Sequence, residues 1–320
     1  MKKALITGIT GQDGAYLSKF LLDKGYEVIG LTRGQSSENL YKLKYLGILN
    51  SIKIIECDLL DFPNILNIIK KVSPDEIYNL SAQSSVGNSF NQPIDTFHFN
   101  TISVLNILES IKISNENIKF YQASSSEMFG KVKKLPIDEN TPMHPLSPYA
   151  VSKASSHWLT INYRESYSLF ACCGILFNHE SFLRSKNFFI KKVIQDSIDI
   201  SFGKKDILSV GNIDIKRDFG YSPKYIEAMY SMMQEETPED FIICSGESVS
   251  LKEIIFYVFD KLKIEHAKLV IDDNLYRPTE INDIYGSNKK AKEKLKWNYD
   301  YSFMEVLDML IEEELINYDK

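Results

Sequence analysis

Lys3-Ala-Leu-Ile-Thr-Gly-Ile-Thr-Gly-Gln-Asp-Gly14 decides the fold. A short apolar run of strand formers meets three glycines at three-residue spacing. Ala15, Leu17, Phe20, Leu21 and Leu22 follow with the period of a helix that buries one face. Strand, glycine turn and helix is the context that makes a glycine motif a dinucleotide site. Gly8 permits the tight turn, and Gly11 lets backbone amides approach a pyrophosphate at the helix N-terminus. Gly14 lets helix and strand pack closely. A plain strand–helix turn is the competing reading of the same residues.

The rhythm that starts there continues. Strand-like runs at 2–8, 26–32, 53–57, 76–82, 118–124 and 170–177 alternate with helical stretches. That alternation predicts an α/β fold, a Rossmann-type doubly wound parallel sheet. After Asn178 the pattern breaks: a short strand at Leu208–Val210, a helix over Tyr225–Gln234 and a strand from Phe241. Two terminal helices are expected around 250–263 and 302–316, with an irregular stretch holding Arg277-Pro-Thr-Glu280 between them. The expected division is a cofactor domain over 1–178, rejoined by 212–246. A smaller C-terminal substrate-binding lobe takes 179–211 and 247–320.

Three further features carry chemistry. The second strand ends in Thr32-Arg33-Gly34-Gln35-Ser36-Ser37, with no acid until Glu38. NAD sites usually place a carboxylate there for the ribose 2′-hydroxyl, whereas a guanidinium binds a 2′-phosphate bidentately. Arg33 therefore favours NADP over NAD, the alternative being an exposed loop charge. Tyr149 and Lys153, in Ser147-Pro-Tyr-Ala-Val-Ser-Lys153, are four apart and share a helix face. A nearby ammonium favours the phenolate, so Lys153 is expected to lower the pKa of Tyr149 and make it a base for a sugar hydroxyl. Pro148 suits the first turn of that helix. In Ser124-Ser-Ser-Glu127, a carboxylate follows an apolar strand at the sheet edge where α/β ligands bind. A simple dehydrogenase needs only the hydroxyl of Ser125 and the Tyr/Lys pair; Glu127 adds the group required to abstract a carbon-bound proton and expel water.

The whole chain sets limits. Its 320 residues are 44% hydrophobic and 25% charged, an ordinary globular balance. A net charge of −6 argues against a general nucleic-acid binder. The longest apolar run, Leu169 to Phe177, is too short to cross a bilayer. The chain enters a strand at once, without a signal-like leader. Cys57, Cys172, Cys173 and Cys244 sit in apolar runs as reduced core thiols, which with the missing leader predicts a cytoplasmic protein without metal.

These residues resemble one branch of the extended short-chain dehydrogenase/reductases, the GDP-mannose 4,6-dehydratases. The resemblance rests on Gly8-Ile-Thr-Gly-Gln-Asp-Gly-Ala-Tyr-Leu17, Pro74-Asp-Glu-Ile-Tyr-Asn-Leu80, Asn162-Tyr-Arg-Glu-Ser-Tyr167 and Gly174-Ile-Leu-Phe-Asn-His-Glu-Ser181. In the second half it rests on Arg217-Asp-Phe-Gly220, Arg277-Pro-Thr-Glu-Ile281 and Ala291-Lys-Glu-Lys-Leu-Lys-Trp297, so it spans nearly the whole chain.

The resemblance implies conversion of a GDP-manno-configured sugar, GDP-mannose or GDP-manno-heptose, to its 4-keto-6-deoxy product. The route is transient C4 oxidation, loss of water across C5 and C6, and hydride return to C6. Ser125, Glu127, Tyr149 and Lys153 would be catalytic. NADP would lie against Gly8, Thr10, Gly11, Gln12, Asp13, Gly14, Arg33, Asp58, Leu59, Leu80, Gln83, Tyr149, Lys153 and His179. The GDP-sugar would meet Ser84, Ser126, Asn178, Lys192, Arg217, Arg277 and Glu280. Arg217 and Arg277 read equally as surface charges, and Lys192 as part of a solvated helix face. A homodimer or homotetramer is expected, paired through the helix after the fourth strand and the Tyr149 helix. A 4-epimerase or 4-ketosugar reductase would use the Tyr/Lys pair without Glu127, and a non-catalytic NADP-binding regulator would need none of the set. The chain departs from the branch at Ser125 (usually threonine), Ser85 (histidine), Gly34 (a second arginine) and the stretch 182–187. These departures bear on which hexose or heptose is bound.

Overall fold

Seven parallel strands form the central sheet, in the order β11-β6-β5-β4-β1-β2-β3 once the elements are numbered along the chain. The computed structural model describes residues 1–34, 36 and 40–318; the Gln35, Ser37 and Glu38 positions weighed above lie outside the described residues. The first half runs β1 (Lys3–Thr7), α1 (Gln12–Asp23), β2 (Glu27–Thr32), α2 (Tyr41–Tyr45), β3 (Lys53–Glu56) and α3 (Phe62–Val72). It continues with β4 (Glu76–Asn79), α4 (Val86–Asn91), α5 (Pro93–Ser114), β5 (Lys119–Ser125), α6 (Pro148–Tyr167) and β6 (Ala171–Leu176). All six residues of β6 are buried. That is what a parallel strand covered on both faces requires, and why it reads as an unbroken apolar run.

The second half holds β7 (Asn178–Glu180), α7 (Phe189–Ser201), β8 (Leu208–Val210), β9 (Lys216–Arg217), β10 (Phe219–Tyr221) and α8 (Ser222–Gln234). Then come β11 (Phe241–Ile243), β12 (Val249–Ser250), α9 (Leu251–Leu262), β13 (Leu269–Ile271), α10 (Lys289–Lys294) and α11 (Phe303–Asn317). β11 joins the main sheet beside β6, while β10 pairs with β7, β12 with β9 and β13 with β8.

One face of the sheet is covered by α1 and α8, through Leu17, Leu21, Ile226 and Met229. Ile65, Ile69, Val104, Leu108 and Tyr163 of α3, α5 and α6 pack with the strands of the other face in a second core. A separate core forms from α7, α9 and α11, where Ile194, Ile254, Val258, Val306 and Leu310 meet. Two stretches pack across the expected division. Ile213, Ile215 and Phe219 belong to the α7–α9–α11 core. Ala291, Leu295 and Trp297 pack with α8 and the sheet instead, and Trp297 donates its indole N–H to the Lys224 carbonyl at 2.8 Å.

The strand order places β1 between β4 and β2, so the chain switches direction across the sheet there. The crevice beyond the carboxyl ends at such a point is where α/β sheets bind ligands.

Candidate active site

Two adjoining cavities open at that edge. The larger, about 770 Å³, is bounded by the glycine turn; the smaller, about 240 Å³, by the ends of β5 and β6 and the start of α6. The larger is within the range of small-molecule sites, and the smaller lies just below it. Asp13, Leu80, Ser84, Arg184 and Phe188 line both, so the two share a wall.

Gly8 has φ +69°, and a Cβ there would lie 2.9 Å from the Leu80 carbonyl carbon. At Gly14 a Cβ would stand 2.3 Å from the Gly8 carbonyl oxygen. Only glycines let β1, the turn and α1 close up in this way. Gly8, Thr10, Gly11, Gln12, Asp13 and Gly14 all line the larger cavity, with Arg33, Leu59 and Leu80. Arg33 lies with its guanidinium carbon 5.1 Å from the Phe99 ring centroid. A helix N-terminus, a glycine turn and the cations Arg33, Lys42 and Arg184 make a donor set suited to a dinucleotide's phosphates. These residues fit a nicotinamide dinucleotide.

Gln12 and Asp13 have a second occupation. His179 Nε2 is 2.9 Å from the Asp13 carboxylate, Ser222 Oγ donates to it at 2.9 Å, and Gln12 bonds the His179 carbonyl and the Ser181 hydroxyl. His179 and the neighbouring polar groups hold Asp13 well below the usual carboxylate range despite burial. His179 is thereby fixed on the wall of the smaller cavity, stacked on Tyr225 at 4.7 Å between ring centroids.

The smaller cavity gathers Ser84, Ser125, Glu127, Tyr149 and Lys153 with Asn178, His179, Arg217 and Arg277. Ser125 ends β5, and its hydroxyl accepts the Glu127 N–H at 3.3 Å, which turns the chain and carries the Glu127 side chain to the cavity. α6 starts at Ser147, whose hydroxyl accepts the Ala150 N–H at 3.1 Å, with Pro148 in the first turn. Asn100 of α5 donates to Ser152 at 2.9 Å and so fixes the turn that bears Tyr149 and Lys153.

The electrostatics correct one expectation. Burial pushes the Tyr149 phenol up to about 12, with the Ser125 hydroxyl opposing and Glu127 adding to the rise. Lys153 does not draw the phenol down here. Its ammonium donates to the Ala123 carbonyl at 2.7 Å and lies 5.9 Å from the Tyr149 ring centroid. Burial in turn draws Lys153 down to about 8.

Asp58, Gln83, Ser126, Lys192 and Glu280 line neither cavity, whereas Leu59 and Arg217 do. Asp58 accepts the Leu60 N–H at 3.0 Å, while Leu59 beside it reaches the cavity wall. Gln83 bridges Ser85 and Thr96 and so braces the segment after β4. Ser126 is buried beside Ser125. Lys192 pairs with Asp196 at 2.6 Å and lines a third cavity with Gly211 and Leu275. Glu280 links Arg217 at 3.7 Å and Arg277 at 3.5 Å, holding both guanidinium groups near the smaller cavity. Arg217 is almost fully buried and also donates to the Ile281 carbonyl at 2.5 Å.

Arg184 is a residue the sequence reading passed over. It lies on the wall shared by the cavities, 3.4 Å from Glu180 and over the Phe188 ring at 3.6 Å. The one signal was its place in the divergent stretch 182–187.

Comparison with known proteins agrees with this geometry. Residues 5–310 match the family described as GDP-mannose 4,6 dehydratase. GDP-mannose 4,6 dehydratase 1 of Arabidopsis thaliana is 42% identical over 98% of this chain and 90% of its own. The human GDP-mannose 4,6 dehydratase is 41% identical over 96% of this chain and 90% of its own. Among solved structures, a dTDP-glucose 4,6-dehydratase from Bacillus anthracis in complex with NAD covers 100% of this chain and 98% of its own, with a TM-score of 0.87 at 20% identity. That likeness speaks to the fold alone. Identity near 40% along almost the full length of both chains, over a site assembled as above, places the chain in a family: it belongs to the GDP-mannose 4,6 dehydratases.

Proposed function

We propose that this protein removes water from GDP-mannose to give the 4-keto-6-deoxy sugar nucleotide, using NADP that it keeps and recycles. The observation that carries the reading is Glu127 on the same cavity wall as Ser125, Tyr149 and Lys153. Tyr149, in its deprotonated form, takes the proton from O4 of the sugar while the Ser125 hydroxyl holds that oxygen. NADP, held by the glycine turn and Arg33, would supply the hydride acceptor for C4 and the hydride donor for C6. With a ketone at C4 the C5 hydrogen is acidic, and Glu127 removes it and protonates the departing C6 hydroxyl; a solvent proton then returns to C5 as hydride reaches C6. A 4-epimerase or 4-ketosugar reductase of this fold has no step for Glu127.

Arg33 at the end of β2 supports NADP over NAD, since its guanidinium suits a 2′-phosphate. Asn178, Arg217 and Arg277 take the sugar diphosphate, and Lys192 in its adjoining cavity takes part of the nucleoside. Residues 1–178 with 220–246 and 289–297 form the cofactor half, and the remainder forms the substrate half. The enzyme works in the cytoplasm as a dimer or tetramer. Ile94, Phe97, Val151 and Trp158 on α5 and α6, all exposed in the single chain, support pairing there.

A GDP-manno-heptose is a second substrate reading, favoured by the small Ser85 on the sugar cavity wall. Mass spectrometry of products from both sugar nucleotides tests the choice. Loss of water from GDP-mannose at the higher kcat/KM supports the first reading, a clear preference for the heptose the second, and loss from neither contradicts both.

A further inference from the structure

The larger cavity carries a cation that neither the glycine turn nor the arginine after β2 explains. Lys42, half-buried on α2, lines that cavity together with Arg33 and Arg184. Its Nζ lies 3.4 Å from Ser185 Oγ, a long and weak bond. Burial draws its pKa down, the nearby Arg184 charge adds to that, and Asp13 opposes them. Two like charges thus face one space, with Arg184 also 3.4 Å from Glu180. Asp13, the acid beside them, is already engaged by His179 and Ser222. An anion between Lys42 and Arg184 would relieve their repulsion, and the N-terminus of α1 points a further positive end at the same place.

α2 is short, yet it is held from outside. The Tyr45 hydroxyl donates to Glu313 of α11 at 2.7 Å, and the Tyr45 ring packs on Phe182 at 4.7 Å between centroids. The helix therefore lies as a bar from α11 to the 181–188 segment, with Lys42 on its cavity side.

We propose that Lys42 is a ligand of the dinucleotide pyrophosphate, acting with Arg184 to close the open side of the glycine turn. Pyrophosphate is assigned over the 2′-phosphate because Lys42 neighbours Ser185, Arg184 and Asp13, at the α1 end of the cavity. Arg33 instead stacks on Phe99 at the β2 end. The inference rests on the cofactor reading above and adds a residue to it.

Calorimetric titration with NADP and with NAD tests it, on the wild-type protein, Lys42→Gln, Lys42→Arg and Arg33→Gln. Glutamine keeps helix propensity at this half-exposed position, so the fold should be undisturbed. Lys42→Gln should weaken both nucleotides alike, by about 10- to 100-fold, the worth of a charge-assisted hydrogen bond. Lys42→Arg should recover most of the loss, and Arg33→Gln should weaken NADP only. Unchanged affinity in Lys42→Gln, or a loss confined to NADP, would overturn the assignment while leaving the cofactor reading intact. A wild-type protein that binds neither nucleotide would overturn the cofactor reading and this inference with it.

Discussion

Tyr149 and Lys153 were legible as a pair from their spacing, but their charges were not. Spacing says that two side chains share a helix face; it does not say what else they touch. The Ala123 carbonyl comes from β5, and only the folded sheet brings it to Lys153. The consequence is testable. With Lys153 drawn down to about 8, its charge is lost as pH rises past that value. A step that needs the ammonium should therefore fall in kcat/KM above about pH 8, and an active Lys153→Met variant should lack that falling limb. An unchanged limb in the variant would show that the limb does not come from Lys153. Tyr149→Phe, which deletes the base, should abolish C4 oxidation without loss of fold, as read by product formation and circular dichroism. Arg33→Asp should reverse the nucleotide preference from NADP to NAD in binding titrations, because a carboxylate repels a 2′-phosphate and accepts from a 2′-hydroxyl.

Most elements that repeat a pattern were read, although the 13-residue α7 was not among the expected helices, and several of the shortest elements were missed. β1 to β6 were all expected, because each carries a short apolar run and these runs alternate with helical stretches. α10 was missed: Lys289-Lys-Ala-Lys-Glu-Lys294 offers a single buried residue, Ala291, and no apolar period. β9 and β12 are two residues each, too short for alternation to register.

What fixes these short elements is a buried carboxylate. Asp218 accepts from Ser245 N at 2.9 Å, Ser245 Oγ at 2.7 Å, Gly246 N at 3.1 Å and Gly286 N at 3.3 Å. It thereby ties the β9–β10 junction to the segments after β11 and before α10. Asp218→Asn turns one acceptor into a donor facing N–H groups and should destabilise by about 1–3 kcal/mol, read as a lower urea midpoint. Burial pushes this carboxyl from 3.8 up to about 6. Its protonated form is therefore favoured by folding: the contribution is full below pH 3.8 and is lost as pH rises through about 6. Asp218→Asn should remove that part of the pH dependence, and an unchanged profile would contradict the assignment.

At the scale of the whole molecule, the glycine turn and the strand rhythm were enough for a doubly wound sheet. The core of α7, α9 and α11 was harder to read, because it draws on segments far apart in sequence whose helical periods do not say what they pack against. Adjacency of the two cavities is likewise a property of the folded chain: Asp13 from α1, Leu80 after β4 and Arg184 after β7 meet only there. That adjacency matters because a hydride can pass to a cofactor and return only if sugar and nicotinamide share a wall, and Glu127 on that wall is the group proposed to turn transient oxidation into dehydration. Incubating the protein with GDP-mannose in deuterated water, with no nucleotide added during turnover, tests this most directly. The product should have lost one water, carry solvent deuterium at C5 and carry the original C4 hydrogen at C6. Glu127→Gln should lower that rate by roughly 10²–10⁴-fold while still binding the sugar nucleotide. Dehydration by Glu127→Gln at the wild-type rate, or a wild-type product that is merely epimerised or reduced at C4, would contradict the account.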